Sequence, residues 1–115
     1  MNKHLQQRIE ALLALYDRAT LATCGQAGIQ ISVVAFHVQN LRLYLFIPHS
    51  SDHLFNLESE QALALLSPAW KLYGKGVITK DIIAPHEWQI TTRVEPTRLH
   101  ILSNDGLSTV ETIDF

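Results

Sequence analysis

Four consecutive polar residues, Ser50 to His53, precede an apolar segment and have the composition of a helix start. Two hydroxyls, free backbone N–H groups and the positive end of a helix dipole can together bind a phosphate group. Ordinary N-capping explains the same residues more simply, and the carboxylate of Asp52 would repel an anion. The segment is therefore a candidate phosphate site whose assignment depends on other parts of the chain.

The segment 70–76 has the alternation of a β-strand. On a strand, Lys71, Tyr73 and Lys75 lie on one face, where two cations and an aromatic ring could contact a phosphorylated aromatic ligand. Alternatively, the lysines belong to a solvated strand face and protect an exposed sheet edge. The two glycines on the other face predict a β-bulge or the close approach of another group.

The histidines form no recognisable metal site. His49 and His53 are four residues apart, which on a helix would place both on one face. No Asp, Glu or Cys completes a ligand set, so we predict solvated or hydrogen-bonded histidines and no metal. The chain has no G-x-S-x-G motif and no glycine-rich phosphate loop, and Cys24 has no signal of activation. We therefore assign no catalytic residue.

The hydrophobic pattern that must position these residues predicts a mainly β protein. Apolar residues at helical spacing predict an N-terminal helix that covers a sheet or a barrel end: Leu5, Ile9, Leu12, Leu13 and Tyr16. A short second helix follows the third strand and ends near Glu60. The predicted strands are residues 20–24, 29–38, 42–47, 62–66, 70–79, 89–94, 97–102 and 107–113. Many short strands without βαβ alternation indicate a small β-barrel.

Charge is scarce in this chain, especially in its first three strands. Charged residues make up 17% of the 115 residues, whereas about 25% is usual. Between Arg18 and Asp52 only Arg42 is charged, and both faces of the strand 29–38 are apolar. An antiparallel sheet with one solvated face carries more charge than this. We therefore predict a barrel whose outside is covered by a partner chain.

The overall composition excludes several classes of protein. A net charge of −2 lacks the basic excess of a nucleic-acid binder. A single cysteine excludes an intrachain disulfide and a cysteine-rich zinc site. The sequence has neither the apolar run of a signal peptide nor a membrane-spanning stretch, so we expect a cytoplasmic protein.

Several short segments occur in a characteristic order: Leu21-Ala22-Thr23-Cys24 before a Gly25-x-x-Gly28 turn, Leu43-Tyr44-Leu45-Phe46-Ile47-Pro48, Ser51-Asp52-His53-Leu54-Phe55-Asn56-Leu57, Ala64-Leu65-Leu66, and Trp70-x-x-x-Gly74-Lys75-Gly76. Taken together, they resemble the pyridoxamine 5′-phosphate oxidase-like family of FMN-binding split β-barrels. The resemblance covers residues 5–115, and it depends on the order and spacing of these segments, because no single motif is diagnostic.

The resemblance implies a six-stranded antiparallel split barrel of Greek-key type, with one N-terminal helix and one short helix after the third strand. It also implies a homodimer with FMN at the subunit interface and an FMN-dependent oxidoreductase activity. The cofactor-binding residues implied within a subunit are Ser32, Val33, Val34, Ala35, Phe46, Ile47, Pro48, Ser50, Ser51 and His53. The partner chain would add groups near Trp70 and Lys71.

Two departures from the family pattern leave other functions open. The usual Ser-Arg-Lys at the start of the second helix is replaced by Ser51-Asp52-His53, which removes two positive charges where the phosphate would lie. The pattern His53-x-x-Asn56-Leu57 is closer to the haem-utilisation relatives. The alternatives to an FMN-binding protein are therefore a haem-binding or haem-degrading relative, and a dimeric binding module without a cofactor.

Overall fold

The computed structural model describes residues 1–115, which form two helices and seven strands. In chain order these are α1 (Lys3–Leu13), β1 (Arg18–Gly25), β2 (Gly28–Gln39), β3 (Arg42–Pro48), α2 (Asp52–Ser59), β4 (Ala62–Leu66), β5 (Trp70–Ile78), β6 (Gln89–Leu102) and β7 (Thr109–Asp114). Neither helix is long and apolar enough to cross a membrane.

Six of the strands close into an antiparallel barrel. The sheet order is β3-β2-β1-β4-β5-β6-β7, and an additional pairing of β3 with β6 joins the two ends of the six-stranded part. β7 pairs only with the second half of β6, from Arg98↔Asp114 to Leu102↔Thr109, and lies outside the closure. The mainly β, six-stranded barrel with two helices is the predicted fold class.

The barrel is split between β2 and β3. The ladder that joins these strands ends at the pair Ala35↔Phe46. Beyond it, the first half of β2 pairs with β1, and Ile47 and Pro48 of β3 pair with β6. The helix α2 follows β3 directly and packs against β1 and β2. The first half of β2 and the end of β3 therefore form the two sides of a cleft, and α2 begins next to it.

One difference from the sequence prediction concerns β6. The segments 89–94 and 97–102 form one continuous strand of 14 residues. Pro96 lies opposite Gly74 and next to a β-bulge of its own strand, where Thr97 is the extra residue between the pairs Tyr73↔Arg98 and Gly74↔Pro96. It also falls between the end of the β3 ladder at Val94 and the start of the β7 ladder. A proline has no N–H to donate, but at a bulge and between two ladders this loss does not interrupt the strand.

The predicted close approach at the glycines of β5 is confirmed. A Cβ atom at Gly74 would lie 2.7 Å from the carbonyl oxygen of Glu95, and one at Gly76 would lie 2.8 Å from a methyl group of Leu63. The other inward residues of β5 are Trp70 and Leu72, which are fully buried. This strand is therefore placed against its neighbours through its glycine face.

The core fills the barrel and extends under α1. Ile9 and Leu13 of α1 are completely buried, and Leu5 and Leu12 are half-buried against the core. The sequence pattern places Tyr16 in the same apolar stripe, but this prediction is wrong. Tyr16 lies beyond the end of α1 and remains partly exposed. Inside the barrel the rings of Phe36 and Trp70 meet edge to face, with centroids 5.9 Å apart.

Candidate functional site: a cavity in the barrel split

A cavity of about 340 Å³ lies in the split between β2 and β3. Nine of the residues predicted to bind a cofactor line it: Ser32, Val33, Val34, Ala35, Phe46, Ile47, Pro48, Ser51 and His53. They come from β2, from the end of β3 and from the start of α2. The volume is within the range of small-molecule sites, which begins at about 300 Å³. The structure thus brings three separate sequence segments together at one concave surface.

Three predicted residues lie outside this cavity. Ser50 is exposed in the turn before α2. Trp70 is fully buried in the core, since it lies on the inward face of β5, so its side chain is not available to a ligand of either subunit. The predicted contribution of this position to a partner's ligand can therefore come only from its backbone or its neighbours, and it stays a prediction. Lys71 points outward from β5, with its Nζ atom 5.6 Å from the centroid of the Tyr73 ring.

The cavity is also lined by Trp88 and Gln89, which the sequence pattern does not predict as binding residues. Trp88 ends the segment between β5 and β6, and its carbonyl oxygen accepts a hydrogen bond of 2.9 Å from the N–H of His49. Its indole ring stacks on His86 with a centroid distance of 5.1 Å and an interplanar angle of 9°. Trp88 is 52% exposed, although tryptophan is usually well buried. The one sequence feature that could have indicated this role is a large aromatic residue in a connecting segment without hydrophobic periodicity.

The start of α2 has the predicted capping geometry. The Ser51 hydroxyl accepts a hydrogen bond of 3.2 Å from the N–H of His53. Asp52 occupies the first turn and is exposed, where a carboxylate interacts favourably with the helix dipole. Ordinary N-capping is therefore present at this helix start, and one of its N–H groups is already used by Ser51.

His53 points away from solvent and is hydrogen-bonded at both ring nitrogens. Its Nδ1 atom lies 2.8 Å from Oγ1 of Thr23 in β1, and its Nε2 atom lies 2.7 Å from Oγ of Ser32 in β2. His53 and Thr23 are each 3% exposed. Burial lowers the pKa of His53 below its ordinary value, and the neighbouring Asp52 opposes this shift only in part. At neutral pH the ring is therefore uncharged.

The electrostatics of the cavity follow from these residues. No Lys, Arg, Asp or Glu lines it, and its only ionisable lining group, His53, is neutral. Its walls are apolar residues of two strands and one indole ring, with a few hydroxyl and amide groups. Such a surface fits a planar, largely uncharged ring. Within one subunit it offers no positive charge to a phosphate.

An apolar sheet face adjoins the cavity on the outside of the barrel. Its side chains are Ile29, Ile31 and Val33 of β2, Ala22 of β1, Ala64 and Leu66 of β4, and Tyr73 of β5. The three residues of β2 are between 66% and 74% exposed, and Val33 also lines the cavity. The sequence predicts that both faces of β2 are covered. Within one chain only the face with Val34 and Phe36 is covered, by the core of the barrel, and the face with Ile29, Ile31 and Val33 is open.

Solved structures of bacterial proteins share this fold. General stress protein 26 of Bacillus anthracis superposes with a TM-score of 0.73 at 13% identity, over 97% of this chain and 99% of that chain. A Clostridium acetobutylicum protein related to general stress protein 26, of the pyridoxinephosphate oxidase family, superposes with a TM-score of 0.69 at 12% identity, over 100% of this chain and 96% of that chain. The haem storage protein HutZ of Vibrio cholerae superposes with a TM-score of 0.65 at 14% identity, over 84% of this chain and 94% of that chain.

These comparisons confirm the split barrel that the sequence predicted. No protein-family model matches the sequence, and no curated protein matches it. All three identities to the solved structures are low, so what the chain shares with these proteins is the fold.

Proposed function

We propose that this chain, which has the split-barrel fold of the pyridoxamine 5′-phosphate oxidase-like proteins, binds FMN in the cavity between β2 and β3 and acts as a homodimeric oxidoreductase. The observation that carries the proposal is the convergence of β2, β3 and α2 on one cavity. The nine lining residues named above are among those that the family resemblance implies for cofactor binding, and they converge on one cavity although Ser32 and His53 are 21 positions apart.

The cavity fits the ring system of a flavin. Its apolar walls suit a planar aromatic ligand, and a few polar groups would fix its orientation, which is the usual composition of a small-molecule site. The exposed indole of Trp88 supplies an aromatic surface for stacking. When bound, the flavin would supply electron or hydride transfer, while this chain would position the ring and exclude water. No side chain at the cavity has the character of a catalytic acid or base.

The phosphate of FMN would need a positive charge that one subunit does not offer. Lys71 and Lys75 lie on the outward face of β5, on either side of Tyr73, at the edge of the apolar sheet face. A second copy of the chain that covers this face would bring its lysines towards the cavity, since Val33 belongs to both surfaces. Exposed contiguous apolar surface of this kind marks protein–protein contact.

Haem is the second candidate ligand, because the haem storage protein HutZ has the same fold. His53 is a poor iron ligand in this structure. Both of its nitrogens are hydrogen-bonded, to Thr23 and to Ser32, and the ring is buried. Coordination of iron would require the ring to leave these partners. FMN therefore remains the proposal, and the cytoplasmic location expected from the sequence stays a prediction.

Parallel titrations of the purified, dialysed protein with FMN and with haemin test the proposal. We expect saturable quenching of flavin fluorescence and a dimer in sedimentation. A Soret band with haemin and no FMN binding would favour the haem alternative. Binding of neither ligand by a dimeric protein would favour a cofactor-free module and overturn the proposal, as would a monomer at micromolar concentration without flavin affinity.

A further inference from the structure

The side-chain amide of Asn56 is held in one orientation behind the cavity. Its Oδ1 atom accepts a hydrogen bond of 2.8 Å from the N–H of Ala27, and its Nδ2 atom donates one of 2.8 Å to the carbonyl of Gly28. Backbone groups cannot exchange donor and acceptor roles, so the amide cannot be flipped. Asn56 is fully buried, and Gly25 leaves no space beside it, since a Cβ there would lie 2.9 Å from the Asn56 backbone.

The fixed amide determines the role of Thr23. The second hydrogen of Asn56 Nδ2 points to Thr23 Oγ1 at 3.1 Å, so the threonine hydroxyl accepts there. The hydroxyl has one hydrogen of its own, and its remaining partner is Nδ1 of His53 at 2.8 Å. Thr23 therefore donates to Nδ1, which must be unprotonated. The proton of the neutral ring then lies on Nε2.

The opposite order of hydrogen bonds leaves a buried hydrogen without a partner. If Nδ1 of His53 carried the proton, Thr23 would accept from both neighbours and its own hydrogen would have no acceptor. Such an unsatisfied donor is costly where the two residues are each 3% exposed. A doubly protonated ring has the same defect, in agreement with the lowered pKa of His53.

The same order continues to Ser32 at the cavity wall. Nε2 of His53 donates to Ser32 Oγ over 2.7 Å, so this oxygen is used as an acceptor. His53 is the one side-chain partner of Ser32 in the protein, and Ser32 is exposed to the cavity. The hydrogen of the Ser32 hydroxyl is therefore free to point at a ligand.

We propose that the ordered chain Asn56→Thr23→His53→Ser32 makes the Ser32 hydroxyl a hydrogen-bond donor directed into the cavity. Ser32 is the binding residue, and His53, Thr23 and Asn56 are positioning residues. The ligand must then present an acceptor at this point, such as a carbonyl oxygen, an unprotonated ring nitrogen or a phosphate oxygen. The order of hydrogen bonds is a property of the protein alone, and the identity of the ligand as a flavin rests on the proposed function.

The tautomer of His53 is measurable without any ligand. In long-range ¹H–¹⁵N spectra of protein labelled at histidine, we expect the His53 ring to be neutral at pH 7, with a bare Nδ1 and a protonated Nε2. The variant His53→Gln identifies the resonances by removing them. A ring protonated at Nδ1, or an imidazolium at pH 7, would overturn the order of the chain whether or not the protein binds FMN.

A double-mutant cycle in FMN binding separates the positioning role from a merely structural one. Loss of a hydrogen bond to a charged acceptor lowers affinity roughly ten- to a hundredfold, and loss of a hydrogen bond to a neutral acceptor lowers it less. Ser32→Ala should therefore weaken FMN binding, whereas Ser32→Thr, which keeps a hydroxyl, should retain the affinity. His53→Leu should weaken FMN when Ser32 is present and have little further effect in the Ser32→Ala background. His53→Gln, whose amide can still donate to Ser32, should recover much of the affinity.

The outcomes are distinguishable from failure of the proposed function. If the unaltered protein does not bind FMN, the proposed function fails and the tautomer decides the inference. If the unaltered protein binds FMN but Ser32→Ala binds equally well, or His53→Leu is equally damaging in both backgrounds, the inference is wrong. If His53→Leu does not fold, the tautomer and the Ser32 variants still decide it.

Discussion

Reversing the charge of Asp52 is the sharpest test of where a phosphate would lie. Asp52 is exposed in the first turn of α2, between two residues that line the cavity, Ser51 and His53. The variant Asp52→Arg changes the local charge by two units and restores one of the positive charges that the sequence lacks. It should therefore tighten FMN binding.

The expected size follows from Coulomb's law. Two unit charges about 8 Å apart in water interact by about 0.5 kcal/mol. With a change of two charges and a phosphate charge of about −1.5 to −2, the unscreened effect is about 1.5–2 kcal/mol. A Debye length of about 8 Å at physiological salt reduces this to roughly a third. FMN affinity should rise roughly threefold there and roughly tenfold at about 0.01 M salt.

The assay is a fluorescence titration with FMN and with riboflavin, which has the same ring without the phosphate. Riboflavin affinity should be unchanged by Asp52→Arg. The matched control is Glu58→Arg, which makes the same charge change at an exposed site near the other end of α2. Equal effects on the two flavins, or equal effects of the two variants on FMN, would refute the placement of the phosphate. The variant should also lose a few tenths of a kcal/mol to about 1 kcal/mol of stability, because a cation at a helix N-terminus opposes the dipole.

Three further predictions concern the neighbouring surfaces. Ile31→Asp should convert a dimer into a folded monomer in sedimentation, because a carboxylate in the apolar sheet face would be desolvated on association, whereas Val110→Asp on β7 should not. Replacing Trp88 by Leu should weaken flavin binding roughly two- to tenfold and restore part of the flavin fluorescence, whereas Phe should retain stacking. Since burial lowers the folded-state pKa of His53 below its ordinary 6.5, the stability that neutral His53 provides is complete above about pH 6.5 and is lost as the pH falls through the lowered pKa. The groups that face the His53 ring are the uncharged hydroxyls of Thr23 in β1 and Ser32 in β2, and Asp52 is the one carboxylate beside it. His53→Gln removes the titrating ring and should therefore flatten this part of the dependence of the free energy of unfolding on pH.

The elements of the barrel were predictable because their signals are local. The strands were recognised from alternation and turns, and α2 from its capping residues, within a few residues of their observed bounds. The exposed apolar side chains of Ile29, Ile31 and Val33 were visible as a strand with two apolar faces. Most of the cavity wall was predicted as well, but this came from the resemblance of ordered segments to a known family.

The continuity of β6 and the aromatic part of the cavity depended on tertiary structure. From its chemistry alone Pro96 predicts a break in the strand, and only the bulge at the next residue, Thr97, and the two ladders on either side show that the missing N–H is tolerated. Trp88 reads as part of a connection, because a segment without periodicity gives no indication of the surface that it faces. In the folded chain a hydrogen bond joins its backbone carbonyl to the N–H of His49, and its ring stacks on His86.

The sequence by itself determined that residue types able to form hydrogen bonds occur at a helix start beside apolar strands. Only the folded chain decided that His53 meets Thr23, 30 positions away, and Ser32, 21 positions away. The direction of these hydrogen bonds is set by backbone groups of a third segment that hold Asn56. Donor and acceptor roles pass from one side chain to the next only at contact distance, so no local pattern of residues could encode which of them would face a ligand.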